Sequence, residues 1–241
     1  MPDSIPDITR PGLISKILAP AIRLWLKTQT DHLDTLTLEI QASDRSVLSG
    51  KIPKINLTAQ AAIYQGIHLS ALNLIGSNIH LNLSQILRGK PLHLLAPIPL
   101  DLNIQLTEAD LNASLNAPLL QPAITQFIQL LLQSTQDNTT PLNLQNLACR
   151  LEDNTLTLWG NLISETSEIS QLALRTQLHL TTPNQLTLVA PTWLPHANAK
   201  RGMLISDLEG HTFDLGPDTR FSQLHISPTH IAAALTLTVL P

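Results

Sequence analysis

The chain has 241 residues and a formal net charge of −4, and only 13% of it is Asp, Glu, Lys or Arg, against about 25% in an ordinary soluble domain. A hydrophobic content of 43% excludes intrinsic disorder, the single cysteine excludes a disulfide framework or a cysteine-based zinc site, and the acidic balance lacks the basic face of a nucleic-acid binder. No apolar run approaches the roughly 18–20 residues of a membrane-spanning helix.

The apolar residues are almost all flexible aliphatics: Leu and Ile together number 71, Val 3, and aromatics make 3%. The missing charge is concentrated. No Asp, Glu, Lys or Arg occurs from Ile55 to Leu87, from Leu111 to Gln136, from Thr176 to Ala199, or from Phe221 to the end. The polar residues there are Asn, Gln, Ser, Thr and His, which dissolve in water but repel other chains less than charged faces do.

In chain order, the Pro-rich lead carries Asp3 and Asp7, so no cleavable signal is expected and the protein is placed at the cytoplasmic side of a membrane. A helix reads from about Leu13 to Lys27, with Ile14, Ile17, Leu18, Ala21, Ile22 and Trp25 on one stripe. Lys16, Arg23 and Lys27 lie off that stripe. A basic amphipathic helix with a Trp is the form of a helix lying in a membrane interface, so Lys16, Ile17, Arg23, Trp25 and Lys27 are the expected membrane contacts.

After Asp34 the period becomes two. Leu36, Leu38 and Ile40 alternate with polar residues, as do Ile55 to Ile63, Ile79 to Leu83, and Leu100 to Leu106. The apolar phase slips around Leu72 to Ile75, which predicts a bulge. Gly66-Ile67-His68-Leu69 and Asn78-Ile79-His80-Leu81 recur at twelve residues, a spacing suited to consecutive strands of a meander.

Thr107-Glu108-Ala109-Asp110 has the form of a helix start. A second helix follows to about Gln133. Leu119, Leu120, Ala123, Ile124, Phe127, Ile128 and Leu130 to Leu132 cover most of its circumference, which predicts burial. The last hundred residues return to strands at Leu142–Leu144, Leu156–Leu162, Leu172–Leu180 and Leu186–Leu188, with a turn at Thr182-Pro183-Asn184. A loop from Pro191 to Arg201, a turn at Asp214–Asp218 and two final strands complete the chain.

The predicted architecture is α+β and mostly β. About ten strands form one strongly curved antiparallel sheet wrapped around the buried apolar helix, with residues 1–34 as lead and amphipathic helix and residues 35–241 as a single domain. An incompletely filled trough would leave an apolar groove between sheet and helix, lined by Leu119, Leu120, Ile124, Phe127, Ile128 and Leu131.

Catalytic signals are missing. The nine histidines form no His-x-His or His-x-x-x-His pair, and there is no Gly-x-Ser-x-Gly elbow or phosphate-cradling glycine loop. Cys149 alternates with Leu147 and Leu151 and reads as a core thiol. No metal, no cofactor and no enzyme activity are expected.

Gly50-Lys51, Ile63-Tyr64-Gln65-Gly66-Ile67-His68-Leu69 and Leu87-Arg88-Gly89-Lys90-Pro91-Leu92, followed by Leu106 to Asn112 and Asp214 to Asp218, resemble the LmeA-like phospholipid-binding family in its photosynthetic-bacterial form. The resemblance implies phospholipid binding on a curved antiparallel sheet, and by fold analogy a tubular lipid-binding architecture. It carries no catalytic residue over. The alternative from composition is a structural or protein-interaction module with a fully packed core.

Overall fold

The computed structural model describes residues 13–82, 85, 88, 90, 93–133, 143–163 and 169–241. Among the described residues, twelve strands form two antiparallel sheets. The first runs in the order β1 (His32–Gln41), β2 (Lys51–Tyr64), β3 (Ile67–His80), β4 (Ile98–Thr107), β12 (His230–Val239), β11 (Thr219–Ile226). The second runs β10 (Thr212–Asp214), β8 (Gln185–Trp193), β7 (Ile169–Thr182), β6 (Thr155–Ile163), β5 (Asn143–Glu152), with β9 (Met203–Leu204) paired to β8. Among the described residues the longer helical segments are α1 (Leu13–Gln29), α2 (Asp44–Leu48), α3 (Glu108–Ser114) and α4 (Gln121–Gln133), the last two lying between the sheets in chain order. The β-rich class is as expected, but one wrapped sheet is replaced by two.

Local chemistry explains the joints. The β2–β3 hairpin turns at Gln65-Gly66, both with positive φ, which is the type I′ geometry that matches strand twist. A Cβ on Gly66 would also lie 3.0 Å from the Ala117 side chain, so the turn needs glycine twice over. Thr107 caps α3 through a complete capping box with Asp110.

Two expectations about β3 need correction. Its pairing with β2 keeps one register from Lys51↔His80 to Tyr64↔Ile67, so no bulge falls at Leu72 to Ile75. The apolar phase slips because Ile75 faces the polar side opposite Asn56, while Gly76 takes the core-side position opposite Ile55. The twelve-residue repeat marks the two ends of this one long strand rather than two consecutive strands.

Apolar burial divides between the sheets. Leu18 and Ile22 of α1 and Val47 of α2 pack with Leu38, Ile55, Leu57 and Ala59 on the first sheet. Leu162, Leu172, Leu174, Leu188 and Leu208 form the second cluster. The sheets meet where hairpin turns of the second abut β11: the Phe221 N–H donates to Pro183 O at 2.6 Å and the Asn154 N–H to Ile226 O at 3.0 Å. Those bonds occupy backbone groups on an edge strand that would otherwise stand open.

Candidate functional site

The first sheet presents one continuous apolar face, assembled by register. Leu38, Leu57, Leu74, Leu102, Leu235 and Phe221 stand side by side on β1, β2, β3, β4, β12 and β11. Two residues along, Leu36, Ala59, Leu72, Ile104, Ala233 and Leu224 form a second row, and residues two apart on a strand share a face. On the other side of the first row lie Ile40, Ile55, Gly76, Leu100 and Leu237.

Cover over this face is uneven. Leu38, Leu57, Ala59 and, on β12, Ala233 are buried, whereas Leu36, Leu72, Leu74, Leu102, Ile104, Leu235, Phe221 and Leu224 are only half-buried. Three interstrand spacings separate β3 from β11, so the half-covered region is about 14 Å wide. The opposite face carries Thr37, Thr58, Asn73 and Asn103, all exposed. A cleft of about 220 Å³ opens on that polar side, bounded by Glu39, Lys54, Asn56 and Asn73 among others. The Asn56 Oδ1 there is buried with no hydrogen-bond partner among the described residues.

Helix α4 lies against the second sheet. Phe127 and Leu130 pack on its apolar cluster, and the Phe127 ring meets Phe213 at 6.2 Å with a 57° tilt. The expectation of burial all round is not met over Gln121–Leu130. Ile124, Phe127 and Leu130 are half-buried, the other described side chains are exposed, and none is fully buried. An apolar circumference leads to burial only where neighbours surround it, and here the described contacts are on one side. Of the remaining groove residues, Leu119 is 53% exposed and Leu120 half-buried. The Ile128 and Leu131 side chains lie outside the described set.

Helix α1 spans the expected segment. Leu18 and Ile22 face the core, Trp25 is half-buried, and Arg23 and Lys27 are exposed. The Lys16 and Ile17 side chains lie outside the described set. Among the described residues no helix is long and apolar enough to cross a membrane.

The joint between the sheets is α3. Glu108 Oε2 accepts from the Leu151 N–H at 2.8 Å, tying the helix start to β5. Asp110 receives three donors on Oδ2: the Thr107 N–H at 2.9 Å, the Thr107 hydroxyl at 2.6 Å and the Ser70 hydroxyl at 2.7 Å. Partial burial pushes the Asp110 carboxyl up, but those hydrogen bonds and the nearby His68 outweigh it and hold the group below its ordinary value. Burial and the neighbouring Glu108 push the Cys149 thiol up to about 12. These groups are tied into structure, and a reacting substrate would find no free nucleophile among them. The sequence pattern showed each strand's apolar side but not the β4–β12–β11 neighbourhood that gathers those sides into one surface.

Fold and site together define a protein of two antiparallel sheets, the first of which keeps part of an apolar face only half-covered. The chain belongs to the LmeA-like phospholipid-binding family, whose sequence model matches residues 11–236. No curated protein and no solved structure matches it.

Proposed function

We propose that this protein binds phospholipid without catalysis at a membrane surface, with acyl chains lying on the half-covered apolar face of the first sheet. The observation that supports this most is the fall in cover along one row, from buried Leu57 to half-buried Leu102 and Leu235. Each chain methylene removed from water there contributes about 0.8 kcal/mol. A second acyl contact lies along Leu119 and Leu120, which precede α4, and along the half-buried Ile124 and Phe127 of α4 itself. Residues 35–241 make the lipid-binding unit. Residues 1–34 form a tether in which Lys16, Ile17, Arg23, Trp25 and Lys27 meet anionic headgroups, each cation adding about 1 kcal/mol at such a surface.

Native mass spectrometry of gently purified protein, with lipid extraction, tests the reading. The expected result is protein carrying stoichiometric phospholipid that organic extraction releases intact. Protein that is lipid-free as isolated and takes up none from detergent-solubilised phospholipid refutes it. Release of hydrolysed lipid would show catalysis instead.

A further inference from the structure

The loop between β8 and β9 is built as a rigid tip with an unusual surface. Its root is Leu194, fully buried, whose N–H donates to Ala173 O at 2.8 Å. Its far end returns through the Ile205 N–H, which donates to Pro191 O at 2.8 Å. Between them, Gly202 lies so close to β8 that a Cβ there would stand 2.1 Å from the Trp193 carbonyl oxygen. Two arginines from neighbouring strands hold the crest from below. Arg150 donates to Asn198 Oδ1 at 2.9 Å and lies over the Trp159 ring at 5.4 Å, and Arg175 donates to the Lys200 carbonyl at 3.2 Å.

What this scaffold presents is cationic and apolar together. Lys200 and Arg201 are exposed, and next to them Met203 and Leu204 are 71% and 52% exposed. Lys200, Arg201, Arg150 and Arg175 are four of the 14 basic residues in a chain of net charge −4. Among the described residues the only ion pair is His32–Asp34, so no described carboxylate lies within 4.0 Å of any of the four. Glu209, in the turn that follows, is engaged by the Ala190 N–H. A cationic cluster without a described ion-pair partner, on an acidic protein, complements an anionic partner. Two bared thioether and aliphatic side chains at the same crest fit a partner with hydrocarbon just beneath its charge.

We infer that the Lys200–Leu204 tip is a membrane-docking element, in which Lys200 and Arg201 meet anionic lipid headgroups while Met203 and Leu204 enter the acyl boundary. It is separate from the α1 tether and from the acyl-binding face. It rests on the proposed function only in that both concern lipid.

The test is vesicle co-sedimentation of the full chain, using phosphatidylcholine vesicles with and without phosphatidylglycerol. Wild type is expected to bind the anionic vesicles and to lose that binding at high salt. Removing two cations that act near an anionic surface lowers the partition coefficient roughly 30-fold, so K200Q/R201Q is expected to show that loss. M203S/L204S is expected to weaken binding to the anionic vesicles at low salt while leaving its salt dependence unchanged. Native mass spectrometry of the same variants should show the wild-type lipid load, which separates docking from acyl binding. Wild type that binds vesicles but carries no lipid leaves this inference standing and removes the proposed function. Wild-type binding by both variants, no vesicle binding by any form, or salt-sensitive binding to nucleic acid in place of vesicles overturns the inference.

Discussion

The Asn112 carboxamide pairs with the Cys149 peptide as a neighbouring strand would. Its Oδ1 accepts from the Cys149 N–H at 2.8 Å, and its Nδ2 donates to the Cys149 carbonyl at 2.9 Å. Nδ2 also donates to Glu108 O at 2.8 Å, so one side chain on α3 closes the helix and fastens it to β5. Cys149 is fully buried, and water cannot replace these partners.

Asn112→Ala therefore strands two buried backbone groups, and the expected loss of stability is about 2–4 kcal/mol. Urea denaturation followed by circular dichroism measures it. A loss below about 0.5 kcal/mol, the range of ordinary surface substitutions, would show that the joint between the sheets does not depend on this pairing.

Asp110 gives the protein a pH dependence with a definite sign. Its carboxyl is held below the ordinary 3.8 in the folded state, so its stabilisation is fully present at neutral pH and fades as pH falls through and below that value. Asp110→Ala removes the reciprocal half of the capping box and is expected to cost about 1 kcal/mol at pH 7. The difference from wild type should shrink between about pH 5 and pH 2 as the native carboxylate is protonated. Thermal melts across that range check it, and a gap that widened on acidification would contradict the assignment.

The Cys149 thiol, raised to about 12 from an ordinary 9.0, holds about a thousandfold less thiolate than a free cysteine at any pH well below both values. Maleimide labelling of the native protein at pH 8 is expected to follow the rate at which the β5 region opens, and to accelerate steeply in urea. Rapid stoichiometric labelling without denaturant would mean that Cys149 is accessible.

The parts of this fold that were legible in the sequence are those fixed within a few residues. The Thr107–Asp110 box, the alternation of Leu100, Leu102, Ile104 and Leu106, and the Pro183-Asn184 turn are local signals with local causes. The pairing of Leu102 with Leu235 is not local, and nothing in either strand's pattern names its partner. That pairing is what turns separate apolar sides into one surface. The helix bearing Ile124 and Phe127 misled for a related reason: periodicity reports how much apolar surface a helix carries, not whether neighbours exist to cover it. Asn112 stood out only as the end of the Leu106–Asn112 stretch, because its role needs a strand 37 residues away. Met203 and Leu204 gave no periodic signal at all, since their strand is only two residues long.

The apolar face makes the sharpest prediction, because Leu57 and Leu235 belong to one row and differ chiefly in cover. Leu57 is buried beneath α1 and α2, so Leu57→Ala should cost about 3 kcal/mol through lost transfer energy and the cavity left behind. Leu235 is half-buried, and Leu235→Ala leaves a site open to solvent or ligand rather than an enclosed void, so its cost in the lipid-free protein should be about 1 kcal/mol. Lipid reverses the order. Leu235→Asn, with or without Leu102→Asn, places an amide where acyl methylenes would lie and should lower the phospholipid retained in native mass spectrometry, while Leu57→Ala should retain its load per folded molecule. If Leu57→Ala and Leu235→Ala cost the same in lipid-free protein and Leu235→Asn retains full lipid, the face is a packed core and the acyl chains lie elsewhere.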